Sequence, residues 1–577
     1  MSDKTTGDET TTGATTSHKL KVVILWHMHQ PYYANHLNGE YQLPWTYLHG
    51  IKDYTDMAAH LEAIPQAKAV VNFAPILLEQ LDDYARQIDA NLQTGQQIRD
   101  PLLGALSSAV LPHNLQVRIN IINACLRANK ERLVNRFAPY KRLSEIAHWF
   151  SNDLGAQVYL SDQFLSDILV WYHLAWLGET IRREDLRVKQ LTEKARNFTF
   201  HDRRTLLVLI GELLSGIVGR YKRLAEKGQV ELSITPYAHP IVPLLLDFNS
   251  AREAMPEIKL PLLQQYPGGA ERVRWHMQHG LQTFERFFGF QPHGCWPSEG
   301  SISSEALPYF QEAGFRWLAS GQNVLKNSLR VNKLESVSTH QPFSQSNSDV
   351  ACFFRDDGLS DLIGFTYSSW HADHAVANLI HHLQNIAHKS RQHLHNTVVP
   401  IVLDGENAWE HYPENGYYFL SALYRELVKH PDIELTTFSE CLNHGVKPKA
   451  LPRFVAGSWV YGTFSTWIGN VDKNRAWDML GKAKNSFDDA VAAGRLSTAQ
   501  KQAAEKQLAI CEGSDWFWWF GDYNPADVVS DFEHLFRMQL VNLYQILGEE
   551  PPEYLSHVFA YGGGVPVAGG VMRRGSE

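Results

Sequence analysis

Val398-Val399-Pro400-Ile401-Val402-Leu403 runs without a break into Asp404-Gly405-Glu406-Asn407-Ala408-Trp409-Glu410. A short apolar, β-branched run with no alternation reads as a strand buried on both faces, the habit of a parallel sheet. Five further runs read the same way: Lys21–Trp26, Ala69–Phe73, Val230–Ile234, Phe315–Ala319 and Leu362–Thr366. Helical periodicity fills the space between them, most clearly at Glu271–Phe288 and Ala375–His388. Strands alternating with helices predict an α/β fold.

A barrel is favoured over an open nucleotide-binding sheet. No GxGxxG or GxxxxGK[ST] follows any of the runs, so a phosphate cradle has no support. Polar and aromatic residues instead follow several strands: His27 and His29 after the first, His239 after the third, Glu299 and Asp404 after later ones. Strand ends ringing one site are what a barrel provides. Residues 75 to about 228 interrupt this rhythm as a long helical insertion. Beyond residue 445 strand signals fade, and Lys473–Gly494 and Thr498–Cys511 read as helices. The expected organisation is a disordered tail (1–19), a catalytic barrel with its insertion (20–445), a helical C-terminal domain lining the cleft (446–560) and a glycine-rich flexible tail (561–577).

Composition narrows the function. The chain has 577 residues, 44% hydrophobic and 20% charged, with a formal net charge of −9, so it carries no basic stripe for nucleic acid. Five cysteines without a CxxC pair read as reduced thiols in a cytoplasm. The Thr- and Gly-rich start lacks the apolar core of a signal peptide, and no apolar stretch reaches the roughly 18 residues a membrane span needs. Sixteen Trp and twenty-three Tyr supply core, and also the flat apolar faces on which sugar rings stack.

The chemistry-bearing segments fit sugar cleavage. In Cys295-Trp296-Pro297-Ser298-Glu299-Gly300, proline fixes a turn and Gly300 frees the backbone, thrusting Glu299 from the wall. Asp404 and Glu406 follow the most hydrophobic strand, where burial and a neighbouring carboxylate raise a pKa toward that of a general acid. Spacing does not choose between them. His27 and His29 in Trp26-His27-Met28-His29-Gln30-Pro31 share one side of a strand, which suits hydroxyl recognition or a metal. Tyr237 and His239 lie in a Pro-bounded segment, where the plain alternative is a structural histidine in a capped loop. Trp459, Trp467, Trp477 and the run Ser514-Asp515-Trp516-Phe517-Trp518-Trp519 suit stacking on sugars or packing between helices.

Taken in order, His29-Gln30-Pro31, Pro236-Tyr237-Ala238-His239-Pro240, Trp296-Pro297-Ser298-Glu299-Gly300, Leu403–Glu410 and Trp467-Ile468-Gly469-Asn470 resemble the conserved regions of glycoside hydrolase family 57. The resemblance spans residues 20 to about 545. It implies an incomplete (β/α)7 barrel with a helical C-terminal domain, a retaining mechanism and α-glucan substrates, without metal or organic cofactor. It makes Glu299 the nucleophile, kept ionised, and Asp404 the acid/base, kept protonated, with Glu406 in support. The two carboxyls would then stand about 5–5.5 Å apart. His29 and His239 match positions lining the subsite of the cleaved sugar, and Trp467 and Trp516 match cleft aromatics. The expected substrate-binding set is His27, His29, Gln30, His239, Trp296, Glu406, Trp409, Trp459, Trp467, Asp515 and Trp516.

Glu299 is followed by Gly-Ser-Ile-Ser rather than a bulky aromatic, which leaves amylase, glucanotransferase, branching and α-galactosidase activities open. Two rival readings differ in class. One is a metal-dependent hydrolase with His27, His29, Asp404 and Glu406 as ligands; the other is a glycan-binding protein without catalysis.

Overall fold

The computed structural model describes residues 19–153, 155–564 and 572–575. Ten strands form one sheet: β1 Leu20–Met28, β2 Ala69–Phe73, β3 Val230–Ile234, β4 Gly294–Cys295, β5 Trp317–Ser320, β6 Phe343–Gln345, β7 Ala351–Phe354, β8 Val398–Asp404, β9 Ile433–Thr436 and β10 Lys449–Leu451. Seven of them, in the order β8-β1-β2-β3-β4-β5-β7, are parallel neighbours and curl into an incomplete barrel. β9 pairs with the first half of β1, while β2 takes the second half. β6 runs antiparallel to β7 and carries β10 at its far edge.

The barrel does not close with a ladder between β7 and β8. The seam is stitched instead by Asp356 N–H donating to the Pro400 carbonyl (2.8 Å) and Arg355 Nε donating to the Val402 carbonyl (2.9 Å). Both faces of the central strands are covered, since every residue of β1 and β2 is buried. That is why these strands lack alternation in sequence. β4 is only two residues long and sits against a large neighbour: a Cβ at Gly294 would lie 1.8 Å from the Trp317 ring. A glycine is therefore required for β4 and β5 to pair.

Helices from Pro75–Thr94 to Phe200–Glu226 occupy the chain between β2 and β3. After β10 come Val471–Ala492, Thr498–Cys511, Ser514–Trp519 and Ala526–Ile546, the second begun by a Ser497/Gln500 capping box.

The structure corrects the sequence reading in several places. Leu362–Thr366 is a turn of wide helix continuing Asp357–Asp361, not a strand. Asp356 starts it by accepting the Leu359 N–H (2.8 Å), a cap that outweighs the apolar run's strand propensity. The strand expected at Phe315–Ala319 begins at Trp317, the strand expected before Glu299 is the two-residue β4, and β6, β7, β9 and β10 were not foreseen. β10 also extends the sheet past residue 445. Of the tails, residues 1–18, 565–571 and 576–577 lie outside the described residues. Arg573 stacks over Trp518 and Tyr523 (4.7 Å each), and Gly575 N–H donates to Asp361 (3.1 Å). Among the described residues, no helix is long and apolar enough to cross a membrane.

Candidate active site

The C-terminal ends of β1, β4 and β8 open into a cavity of about 240 Å³, walled also by the segment after β3 and by the C-terminal helices. His27, His29, Gln30, His239, Glu299, Asp404, Glu406, Trp459 and Asp515 all line it. These nine expected residues, separated by up to several hundred positions, are thus brought together.

Glu299 stands on a strained backbone. Its φ and ψ are 58° and 24°, the left-handed region, which costs a non-glycine residue about 1–2 kcal/mol. The expected turn is present, but Glu299 itself adopts the left-handed conformation together with Gly300. Trp459 N–H holds the Glu299 carbonyl (3.0 Å), and Gly300 N–H closes the turn on Pro297 (2.7 Å). The carboxylate has one donor per oxygen: Ser514 Oγ at 2.9 Å from Oε1 and Trp459 Nε1 at 3.0 Å from Oε2. Burial, then the charges of Asp515 and Asp404, push this carboxyl up to about 8, while Trp459 and Ser514 pull it back. Burial thus biases Glu299 toward its protonated form, whereas the attack expected of it requires the ionised one.

Asp404 ends β8 and accepts from Asn407 Nδ2 (2.8 Å). Burial raises its carboxyl, restrained by Asn407, His29 and Arg355. Glu406 lies deeper, and its Oε1 accepts from Gln30 Nε2 (3.0 Å). Burial, then Asp404, raises Glu406 well above the usual carboxylate range. Both groups are thus biased toward the protonated form a general acid needs.

Three histidines form the floor. His29 stacks on His239 with ring centroids 3.9 Å apart and planes within 15°, and His27 stacks on His239 at 5.1 Å. His29 Nε2 lies 2.8 Å from Asp515 Oδ1. His29, His239 and Asp515 bring potential ligand atoms within 4.8 Å of one another. The lone pairs of nearly parallel stacked rings run side by side rather than converge, so this set does not fit the tetrahedral geometry of a zinc-type centre. The rival set also fails to assemble: the ring nitrogens of His27 face Asn72 (2.7 Å) and His239 (3.1 Å), and Glu406 is engaged by Gln30.

Four expected cleft aromatics are core instead. Trp296 is fully buried beneath Trp459, with their rings edge to face at 5.5 Å. Trp409 packs against Trp26 and donates to the Gly405 carbonyl (2.9 Å). Trp467 lies behind Trp518, and Trp516 donates to the Ile510 carbonyl (2.8 Å) while packing on Phe536. For Trp409 and Trp516 an indole N–H paired with backbone makes full burial tolerable, and the sequence does not distinguish such a Trp from a cleft one. The aromatic wall of the cavity is made by Trp45, Trp176, Trp518, Trp519 and Phe532. Trp518 and Trp519 stood in the quoted Trp run; Trp45 and Trp176 carried no signal in the sequence. Arg127 and Asp531, also unforeseen, form an ion pair across this wall.

The segment bearing Ser514 and Asp515 is anchored from behind. Glu512 is fully buried and binds Arg272 (2.8 Å), His276 (2.7 Å) and Tyr266 (2.6 Å). Burial alone would raise its carboxyl, but Arg272 and His276 overcome this and hold it down to about 2. Ser514 N–H donates to the His239 carbonyl (2.9 Å), which docks the helical segment on the barrel loop.

The GH57 branching enzyme of the hyperthermophilic archaeon Thermococcus kodakaraensis has a similar structure, with a TM-score of 0.54 at 14% identity, covering 92% of this chain and 88% of that one. The GH57-type branching enzyme of Pyrococcus horikoshii gives 0.55 at 14%, covering 92% and 98%, and an alpha-amylase of Thermotoga maritima 0.54 at 14%, covering 93% and 96%. At this identity the likeness concerns the fold. No curated protein matches the chain. The sequence pattern of Glycosyl hydrolase family 57 matches residues 23–455, three quarters of the chain and all but the C-terminal wall of the cavity. The protein belongs to glycosyl hydrolase family 57.

Proposed function

We propose that the protein cleaves α-1,4-linked glucan by double displacement, with Glu299 as nucleophile and Asp404 as acid/base. The observation that carries this reading is Glu299 itself. Its backbone is strained, and each carboxylate oxygen is aimed by its own donor, as expected of a group placed for attack rather than for packing. Asp404 faces the same cavity and is biased to keep a proton for the departing glycosidic oxygen. Attack requires the ionised form of Glu299, so its carboxyl proton is released to solvent through the cavity before the glycosidic bond breaks. The carboxylate then stabilises the positive charge that develops at the anomeric carbon. Asp404, deprotonated by the first step, then draws a proton from the acceptor that releases the sugar. Family membership supports glycosidic chemistry, and the branching-enzyme and amylase neighbours are in keeping with a glucan substrate.

Transfer to a second sugar, rather than to water, is the reading favoured by the wall of Trp45, Trp176, Trp518, Trp519 and Phe532. Aromatic faces bind an acceptor ring and exclude water. Incubation with maltoheptaose tests both parts. Longer or branched products mean transfer, shorter products alone mean hydrolysis, and no change in chain length contradicts the α-glucan assignment.

A further inference from the structure

A single file of hydrogen bonds connects the barrel interior to Glu299. Asn72, on β2 and fully buried, has Oδ1 2.7 Å from His27 Nδ1. His27 Nε2 is 3.1 Å from His239 Nε2, and His239 Nδ1 is 2.8 Å from Ser514 Oγ. Ser514 Oγ is 2.9 Å from Glu299 Oε1.

The hydrogens available restrict this file to two arrangements. Burial first, then neighbouring histidine charge, pushes His27 down to about 3 and His239 well below its usual range, so both rings are neutral. Each neutral ring has one N–H and one lone pair, and the serine has one O–H. When Glu299 is ionised it only accepts, so Ser514 donates to it, His239 Nδ1–H donates to Ser514, and His27 Nε2–H donates to His239. His27 Nδ1 is then bare, and the Asn72 amide must turn its N–H toward it. When Glu299 is protonated on Oε1, the oxygen that faces Ser514, every bond reverses and Asn72 presents Oδ1, while Oε2 keeps the Trp459 donor.

Asn72 sits where either orientation is bonded. With Oδ1 toward His27, Asn72 accepts from Thr235 Oγ1 (2.8 Å) and donates through Nδ2 to Ser233 (3.1 Å). With the amide inverted, Thr235 accepts from Asn72 and donates to the Trp296 carbonyl, also at 2.8 Å, while Ser233 donates to the amide oxygen. An amide is a side chain that offers donor and acceptor by a half-turn.

We propose that Asn72, His27, His239 and Ser514 form a relay whose hydrogen-bond direction is tied to the charge on Glu299, with Asn72 as a positioning residue. This deepens the reading of Glu299 as nucleophile and rests on it. The two arrangements hold the same hydrogen count on both rings and the hydroxyl and differ by the one carboxyl proton, which leaves into the cavity. Each ring gives up its N–H and takes one on its other nitrogen by exchange with solvent in the same cavity, which both rings line. A glycosyl ester at Glu299 also only accepts, so the relay keeps its donating direction through the covalent intermediate. The other groups facing Glu299 are Asp515 from the C-terminal helix and Asp404 from β8, both of which oppose its ionisation, and the His239 ring, whose Nδ1 lies 3.7 Å from Oε1.

The test follows Glu299 ionisation without turnover, by pH-titrated infrared difference spectroscopy of the full chain. The protonated-carboxyl stretch of Glu299 is the band that Glu299→Gln removes. Ser514→Ala deletes the donor and raises the titration by about one pH unit, the scale of a hydrogen bond to a charged group. Asn72→Asp offers only acceptors, fixes the relay in its reversed direction and also raises the titration. Because a cut relay transmits nothing, the shift from Asn72→Asp is smaller in the Ser514→Ala background. Equal shifts in both backgrounds, or no shift in Ser514→Ala, overturn the relay. If Asn72→Asp does not fold, neutron diffraction of the wild type decides. The Ser514 hydroxyl hydrogen points to His239 at pH below the Glu299 titration and to Glu299 above it, with the Asn72 amide inverted; identical hydrogen positions at both pH values overturn the proposal. Failure to act on any α-glucan would instead overturn the proposed function, leaving the titration to judge the relay.

Discussion

Trp459 grips Glu299 at two points: its backbone N–H binds the Glu299 carbonyl at 3.0 Å, and its indole Nε1–H binds the carboxylate at 3.0 Å. The first contact supports a left-handed backbone and the second aims an oxygen. The nucleophile is therefore oriented by a residue 160 positions away, from a loop after β10. Arg355, held at the β7–β8 seam by Asp357 (2.8 Å) and Asp361 (2.7 Å), lies over the same indole at 5.5 Å.

Trp459→Phe keeps the ring and the backbone contact but removes the donor to Oε2. A hydrogen bond to a charged group contributes roughly 1.5–3 kcal/mol, so kcat falls about 10- to 100-fold while the fold is retained. The acid limb of the kcat/KM profile moves to higher pH, because the ionised form of Glu299 has lost support. Kinetics across pH with circular dichroism as the folding check measure this. An unmoved acid limb would mean that the indole only packs.

Glu299 also leaves a signature in stability. Its carboxyl is raised from 4.5 to about 8 in the folded protein, so the native state holds a proton that the unfolded chain has released. That contribution is fully present below about pH 4.5 and is lost as pH rises toward 8. Glu299→Gln, which stays neutral, gains on the wild type across this window, by an amount on the order of a few kcal/mol at the alkaline end. Urea unfolding of both proteins at several pH values reads the gap. A gap constant with pH would show that burial does not perturb Glu299.

Arg127 and Asp531 join the helical insertion to the last long helix across the cavity mouth, and Arg127 also lies 5.5 Å over the Trp45 ring. The pair is about one-third exposed, so its loss costs little, under about 1 kcal/mol. Its position matters more than its strength. Arg127→Ala and Asp531→Ala are expected to raise kcat/KM on long amylose severalfold relative to maltoheptaose, by opening the mouth to polymer. An unchanged ratio would place polymer entry elsewhere.

The legible parts of the fold were those where one face pattern decides. β1 and β8 hold long apolar runs because both of their faces are covered, and β2 and β3 are five-residue strands buried along nearly their whole length. Strands of two to four residues such as β4, β6 and β7 carry too few positions for a period, and Leu362–Thr366 shows that an apolar run after a capping Asp propagates as helix. In the site, acids at strand ends were readable because the barrel puts them there. Ser514 stood beside Asp515 in a quoted segment, yet its contact with Glu299 spans 215 positions and leaves no local trace. Asn72 did leave one: an amide inside Ala69–Phe73 is a polar residue in a buried parallel strand, and such a group must have partners. Which Trp residues line the cavity is set by tertiary position, since Trp176 is as buried as Trp409 yet lines it, and nothing local in the sequence separates Trp409 and Trp467 from Trp518 and Trp519.

The most direct measurement is to trap the covalent intermediate. A fluorinated maltosyl fluoride has a leaving group that departs without acid catalysis, while the fluorine slows hydrolysis of the ester. Mass spectrometry of the digested protein should then find one glycosyl adduct, on Glu299 in the peptide containing Cys295–Gly300, with no adduct in Glu299→Gln. An adduct on Asp404 or Glu406, or turnover of the reagent without any adduct in the wild type, would contradict the account.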